Sequence, residues 1–157
     1  MTSAAADHSV VIVEESDPDP ETISTISRGL ETYNEVAAGR RGGDPLWLVG
    51  RNGQGDILGG VKGEIAWNWC YVAWLWVDEA ARQGGLGSRL LGHAEAISIE
   101  KGCVGVFLNT FSLQAPDFYR SHGYQEFGRL DNMPPGHSRI WFAKVLGSPI
   151  LTGKNGQ

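Results

Sequence analysis

The most informative stretch of the chain is AWLWVDEAARQGGLGSRLL, residues 73–91. Its opening segment is apolar or aromatic without a polar break and predicts a buried strand. Gly84, Gly85 and Gly87 follow, and they let the backbone turn tightly and come close to a ligand. A helix is predicted to begin near Ser88, so its free amides and the positive end of its dipole face this loop. The stretch therefore predicts an anion site whose ligand is a phosphate or pyrophosphate.

Two familiar phosphate motifs do not fit this loop. A P-loop requires Lys and then Ser or Thr after its last glycine, whereas Ser88 and Arg89 follow Gly87 here. A dinucleotide fingerprint requires three glycines, and its third position is occupied by the bulky Leu90. An ordinary glycine-rich turn between a strand and a helix remains an alternative interpretation of the loop.

Composition limits the class of protein. The chain has 157 residues, 41% of them hydrophobic and 20% charged, which is typical of a single globular domain. The net charge of −5 disfavours non-specific binding to nucleic acid or to an anionic membrane surface. Two cysteines, Cys70 and Cys103, lack metal-ligand spacing and are expected to be buried reduced thiols, so no metal is expected. With no signal peptide and no apolar run that could span a bilayer, a cytoplasmic location is expected.

Hydrophobic periodicity predicts the element order β-α(α)-β-β-β-α-β-α-β-β. The first helix is expected to begin with Asp19 as N-cap and Pro20 in its first turn, and to break at Gly29 if it is a pair of helices. A later short helix is expected to begin at Pro116. Strands are predicted at Val10–Val13, Leu46–Val49, Ile57–Trp67, Tyr71–Val77, Val104–Asn109, Tyr124–Leu130 and Ser138–Leu146. The expected domain covers residues 10–146, between a flexible N-terminus at 1–9 and a flexible tail at 147–157.

Two motifs carry a resemblance to a known family. Residues 82–87, RQGGLG, resemble the R/Q-x-x-G-x-G/A acyl-CoA motif of the GNAT N-acetyltransferase superfamily. Residues 109–124, NTFSLQAPDFYRSHGY, are similar to its N-x-x-A-x-x-x-Y-x-x-x-G-[FY] segment, with matches that include Tyr119 and Gly123. The usual Asn of that segment falls on Ser112, and nearby Asn109 could replace it. The element order also resembles the GNAT fold, an α/β fold with a central mixed sheet flanked by helices.

The resemblance implies how acetyl-CoA would be held as a cosubstrate. The strand Tyr71–Val77 is expected to part from Val104–Asn109, which leaves backbone amides free for the thioester and the pantetheine arm. The loop amides are expected to bind the pyrophosphate, with the Arg82 side chain as a partner. The implied contacts are Leu75, Trp76, Val77, Arg82, Gln83, Gly84, Gly85, Leu86, Gly87, Ser88, Asn109, Ser112 and Tyr119.

Catalysis needs a proton donor for the leaving thiolate and a neutral amine. The family position makes Tyr119 the expected acid, because a phenol is protonated at neutral pH. Glu64, on the preceding strand, is the nearest candidate for a base. Glu31 and Glu35 on the first helix, or a water chain, are the alternatives. Core packing is expected for at least two of the four tryptophans at positions 67, 69, 74 and 76. Trp67 or Trp69, with Tyr33 on the first helix, are candidates to line an acceptor pocket, where an aromatic wall suits a cationic amine.

The sequence thus predicts an acetyl-CoA-dependent N-acetyltransferase acting on a primary amine of a small molecule or peptide. A regulatory module that binds acyl-CoA without turnover is the alternative, and Tyr119 disfavours it because a pure binder does not need an acid. A nucleotide-binding protein is a third and weaker interpretation. The identity of the acceptor stays open, and so does a homodimer.

Overall fold

A computed structural model of the chain describes residues 10–147. It divides into two compact units, with the boundary between Arg40 and Arg41. The first contains one helix among its described residues, α1 (Pro20–Ala38), and Gly29 does not interrupt it. Asp19 is the N-cap, and its carboxylate accepts a hydrogen bond from the Thr22 amide at 2.9 Å, as the sequence predicted. The single domain over 10–146 stays a prediction, and the flexible segments expected at 1–9 and 148–157 lie outside the described residues.

The strand predicted at Val10–Val13 is absent, which corrects the predicted element order at its start. Residues 10–15 have no regular secondary structure and take part in no sheet pairing. A short apolar run is a weak strand signal, because a strand is stable only through hydrogen bonds to a neighbouring strand.

Within residues 41–147 of the second unit lie six strands: β1 (Gly42–Arg51), β2 (Ile57–Ala66), β3 (Trp69–Val77), β4 (Gly105–Phe111), β5 (Gln125–Asp131) and β6 (Ser138–Val145). They form one mixed sheet in the order β1-β2-β3-β4-β6-β5. Neighbouring strands run antiparallel except β3 and β4, which run parallel. This arrangement confirms the predicted mixed α/β sheet.

Helix α2 (Leu86–Glu100) connects β3 to β4, after a 3₁₀ turn at Glu79–Gly84. It begins two residues earlier than predicted, because Gly85 takes a left-handed conformation (φ 74°) and turns the chain into the helix. Its buried face, with Leu91 and Ala94, packs against the sheet core. The short helix α3 (Pro116–Ser121) has Pro in its first turn, as predicted.

The sheet opens between β3 and β4. Pairing of the two strands runs from Trp69 opposite Gly105 to Val72 opposite Leu108, and the described strands make no further pairs beyond that point. On the other side of β3, the β2 register shifts so that Ala73 has no partner of its own, which is a β-bulge. The bulge bends β3 where the strands part, so the separation expected from the sequence is present.

The tryptophans of β3 correct the expectation that they fill the core. Trp74 and Trp76 are 60% and 50% exposed, while Leu75 and Val77 between and beside them pack against the core. Alternation along the strand explains the difference, because α2 covers one face of the sheet and the tryptophans point to the other. Trp69 is half-buried and meets the Phe107 ring edge-on at 6.2 Å.

Candidate active site

A cavity of about 670 Å³ lies at the opening between β3 and β4. Its size is within the usual range for a small-molecule or cofactor site. It lies outside the carboxyl ends of two parallel strands, where such sites form in open α/β sheets. The lining residues are Leu75, Trp76, Val77, Arg82, Gly85, Gly87, Ser88, Thr110, Leu113, Gln114, Ala115, Phe118 and Tyr119.

The N-terminus of α2 forms one end of this cavity. The amides of Leu86, Gly87 and Ser88 lie in the first turn, where no intrahelical carbonyl can accept from them. The first helical bond of this turn is made by the Arg89 amide, which donates to the Gly85 carbonyl at 3.1 Å. Free amides and the positive end of the helix dipole make this end of the cavity suited to an anion.

Only some residues of the glycine-rich loop, residues 82–88, line the cavity. Gly85, Gly87 and Ser88 line the cavity, as the sequence predicted for ligand contacts. Gln83 and Gly84 are exposed and do not line it. The side chain of Leu86 packs instead against the core, so its predicted contribution reduces to its backbone amide.

Arg82 brings positive charge to the same end. Its side chain lines the cavity, and its Nε lies 3.3 Å from the Val77 carbonyl oxygen, to which it donates. That bond holds the guanidinium beside the end of β3 and leaves both Nη groups for a ligand. The structure therefore brings Arg82 and the α2 amides together, as expected for a pyrophosphate site.

The cavity-facing edge of β3 is formed by Leu75, Trp76 and Val77. Their backbone pairs with β2 on one side, but β4 pairing has already ended at Val72. Polar backbone groups on the β4 side are therefore open to the cavity and can bind a ligand that lies along the strand.

Tyr119 supplies a hydroxyl to the cavity wall. Its side chain is 8% exposed, and its ring packs against the rings of Phe118, Tyr124 and Phe142. Among residues 10–147, its hydroxyl has no hydrogen-bond partner. Burial raises the pKa of Tyr119 to about 12, so the hydroxyl stays protonated at neutral and mildly alkaline pH. The site therefore contains a proton donor whose hydroxyl is not hydrogen-bonded to a neighbouring residue in the described part of the chain.

The cavity wall also contains two polar residues that the sequence analysis did not predict. Thr110 is buried, and its Oγ1 donates to Gln114 Oε1 at 2.8 Å. The same Gln114 oxygen accepts from the Phe111 amide at 3.0 Å. Period-two alternation along β4 could have identified Thr110, since it shares a face with buried Leu108. Gln114 lies in the loop before α3, where no periodic signal exists.

Asn109 and Ser112 do not line the cavity. Asn109 lies on the opposite face of β4 from Thr110, and its amide group bonds Tyr71 and Arg139. Ser112 Oγ accepts from the Ser138 amide at 2.9 Å. Both side chains were expected to bind the pantetheine arm, but in the structure they form hydrogen bonds with other residues of the protein instead.

Four further residues were predicted for the site, and three of them belong to the second unit. Glu64, on β2, forms an ion pair at 2.5 Å with Arg41, which precedes β1. Trp67 and Trp69 lie at the hairpin end of β3, opposite the end that lines the cavity. Tyr33 is on α1, in the first unit. Of these residues, the three in the second unit, Glu64, Trp67 and Trp69, do not line this cavity.

Outside this cavity, three further properties of residues 10–147 bear on function. There, no three His, Cys, Asp or Glu side chains are grouped as metal ligands. Cys70 and Cys103 are buried free thiols, as predicted, and burial raises the pKa of both. No helix in this part of the chain is long and apolar enough to cross a membrane.

Comparison with known proteins agrees with this geometry. The acetyltransferase (GNAT) domain profile matches residues 43–126. The blasticidin-S acetyltransferase of Streptomyces morookaense is 40% identical over 121 residues, which cover 76% of this chain and 79% of that protein. An acetyltransferase of Agrobacterium fabrum is 32% identical over 126 residues, covering 80% and 92%. The chain belongs to the GNAT acetyltransferase family.

Solved structures show the same fold. An acetyltransferase from Bacillus cereus aligns with a TM-score of 0.79 and 36% identity, over 85% of this chain and 98% of that one. A Bacillus anthracis protein of the streptothricin acetyltransferase type, solved with acetyl coenzyme A, aligns with a TM-score of 0.59 and 22% identity, over 65% and 62%.

Proposed function

We propose that the protein transfers an acetyl group from acetyl-CoA to a primary amine of a small molecule or peptide. The observation that carries this proposal is the cavity between β3 and β4, which has helix amides at one end and the Tyr119 hydroxyl in its wall. Membership of an acetyltransferase family supports the reaction class. A protein of the same fold that binds acetyl coenzyme A supports the cosubstrate.

The residues present fit acetyl-CoA. The pyrophosphate would bind the first-turn amides of α2, with the Arg82 guanidinium as counter-charge. The pantetheine arm would lie along Leu75–Val77, where the β4 side of the backbone has no strand partner. Its amides would then replace the missing strand in hydrogen bonding to β3.

The chemistry assigned to these groups is direct attack. The amine nitrogen attacks the thioester carbonyl carbon, the new C–N bond forms, and the C–S bond breaks with its electron pair on sulfur. Tyr119 gives its proton to that sulfur, the amine nitrogen loses a proton to water, and the Tyr119 phenolate takes a proton back from water. Backbone N–H groups of β3 stabilise the negative charge that develops on the carbonyl oxygen.

In this proposal water, rather than Glu64, takes up the proton of the amine. The Glu64 carboxylate is held by the Arg41 guanidinium, and its side chain is outside the cavity lining. The amine binds in its neutral form, after its proton has passed to solvent. The neutral fraction of an alkylamine is small at pH 7, but exchange with water replenishes it rapidly.

The relative that acts on blasticidin S supports a small-molecule acceptor for this chain. The test is purified protein with acetyl-CoA and a panel of blasticidin S, streptothricin, a polyamine, free amino acids and a lysine peptide. We expect thiol release that depends on one of these amines, together with its acetylated product in mass spectrometry. Calorimetric binding of CoA without amine-dependent thiol release would favour the regulatory module instead.

A further inference from the structure

A chain of hydrogen bonds crosses the sheet where β3 and β4 part, on the face away from α2. The Arg139 Nε donates to Asn109 Oδ1 at 2.8 Å, and the Asn109 Nδ2 donates to the Tyr71 hydroxyl oxygen at 2.9 Å. The three residues come from β6, β4 and β3, and each is half-buried. The acetyl-transfer chemistry described above uses none of them.

The position of this chain relates it to the candidate active site. Pairing between β3 and β4 ends with Val72 opposite Leu108, so Tyr71 immediately precedes that last pair and Asn109 immediately follows it. Thr110, next to Asn109, lines the cavity on the other face of the sheet. A molecule on the Asn109 face therefore approaches the same opening between the strands from the side opposite the cavity.

Arg139 is the charged member of this chain. Its guanidinium carbon lies 5.5 Å from the centre of the Phe111 ring and 5.3 Å from that of Trp141. Within residues 41–147, its two Nη groups have no hydrogen-bond partner and no carboxylate within 4.0 Å. The rings and the Nε bond fix the guanidinium plane, while the Nη donors stay available.

Two other arginines of this unit are paired with carboxylates, unlike Arg139. Arg120 pairs with Asp117 at 2.6 Å and with Glu126 at 3.1 Å. Arg129 also pairs with Glu126, at 2.8 Å. Arg139 is a fixed, half-buried cation with free donors, which is the arrangement that recognises a planar anion through two parallel hydrogen bonds.

We propose that Arg139 binds a carboxylate of the acceptor molecule, and that Asn109 and Tyr71 position the guanidinium for it. This inference rests on the proposed acetyl transfer and names its substrate class, amines that also carry a carboxylate. One guanidinium balances the single charge of a carboxylate, whereas a phosphate dianion would call for a second cation in the site.

The first test uses acceptor pairs that differ only in the acid group: L-lysine with L-lysinamide, and 4-aminobutyrate with 4-aminobutyramide. For the wild-type protein we expect the carboxylates to be acetylated with the lower KM. Arg139→Gln should raise the KM of the carboxylates about ten- to hundredfold, the range of a charged hydrogen bond, and leave that of the amides unchanged. Arg139→Lys should recover part of the preference.

Two further variants separate recognition from folding. Asn109→Asp keeps the side-chain shape and places a carboxylate beside the Arg139 Nε, so it should weaken the carboxylate preference in a folded protein. Arg129→Gln, on the edge strand β5, removes an equal charge and should leave the preference intact.

A binding measurement without turnover distinguishes the two proposals. In calorimetry with CoA present, 4-acetamidobutyrate should bind the wild type and lose about tenfold or more in affinity in Arg139→Gln. Amides preferred over carboxylates, or a carboxylate preference that survives Arg139→Gln, would overturn the role of Arg139 while acetyl transfer stands. Absence of thiol release with every amine overturns the proposed function instead.

Discussion

The Nε2 of His122 lies 2.9 Å from the Ser88 Oγ and joins the end of α3 to the first turn of α2. Its Nδ1 lies 2.7 Å from the Phe118 carbonyl oxygen, which can only accept. Nδ1 therefore carries the ring proton, and Nε2 accepts from the Ser88 hydroxyl in the neutral tautomer. Because Ser88 lines the cavity, this ring fixes the wall at the anion end.

We expect His122→Ala and Ser88→Ala each to weaken CoA binding about fivefold, the equivalent of one hydrogen bond. The double variant should bind no more weakly than the poorer single variant, because both changes remove the same contact. Calorimetry measures these affinities, and His93→Ala on the exposed face of α2 is the control. Strictly additive losses would show that the two side chains act separately.

Gly87→Ala should separate ligand binding from folding. A Cβ at this position would lie 3.5 Å from the Phe118 ring and 3.6 Å from Val77 Cγ2, ordinary contacts with two cavity-lining residues. The helix should gain up to about 1 kcal/mol, while CoA affinity should fall about tenfold because the methyl group enters the cavity.

Gly84→Ala is the matched control for that change, because a Cβ there meets open space outside the cavity lining. Thermal unfolding and calorimetry with CoA test both variants. Gly85 is less suited to this purpose, since its φ of 74° makes any side chain strain the turn. Equal CoA affinity in Gly87→Ala and the wild type would remove the α2 terminus from the ligand site.

Tyr119→Phe should lower kcat about 10²- to 10⁴-fold and change CoA affinity little. The hydroxyl is needed when charge develops on sulfur, and the phenyl ring preserves the packing. Tyr124→Phe is the control, since its hydroxyl donates to Glu95 at 3.0 Å, outside the cavity lining. It should cost stability and leave turnover near normal. Steady-state rates that are equal for Tyr119→Phe and the wild type would leave Tyr119 as a packing residue.

The pH profile should rise from neutral to alkaline pH as the acceptor amine loses its proton. Because burial raises the pKa of Tyr119 to about 12, this residue should cause no decline in rate until the pH approaches that value. The measurement is kcat/KM for the acceptor at saturating acetyl-CoA, taken over the range in which the protein stays folded. A descending limb between pH 8 and 10 that tracks Tyr119 would contradict the buried environment of its hydroxyl.

Stability should fall at alkaline pH for the same reason. The unfolded Tyr119 loses its proton near pH 10, whereas the folded one keeps it to about pH 12. Between these values the folded state binds more protons, so the free energy of unfolding decreases as pH rises. The contribution of Tyr119 to the free energy of unfolding is fully present below pH 10, and about 1 kcal/mol of it is lost by pH 11.

Urea unfolding near pH 9 and pH 11 tests this linkage. Tyr119→Phe should lose less stability between the two conditions than the wild type. Some decline should remain in the variant, because burial also raises the pKa of Tyr124. An equal decline in both proteins would mean that Tyr119 titrates alike in the folded and unfolded states.

Local signals in the sequence were enough to predict most elements and one end of the cavity. Glycines followed by a helical pattern predicted an anion site in the Arg82–Ser88 loop, because tight turns and free helix amides depend on neighbours in the chain. Of that loop, Arg82, Gly85, Gly87 and Ser88 line the cavity. Pro116 likewise predicted the start of α3, and the match to the family segment singled out Tyr119 within it. The resemblance supplied the expected role of that hydroxyl, which the residues alone do not state.

Tertiary structure decided what strand pairing brings together. The bulge at Ala73 and the end of pairing at Val72 depend on the register between strands, which no local pattern specifies. Tyr71, Asn109 and Arg139 lie at least 30 residues apart and meet because their strands are neighbours in the sheet. Which face of β3 is buried was likewise set by the position of α2, since period-two alternation gives two faces and packing chooses between them.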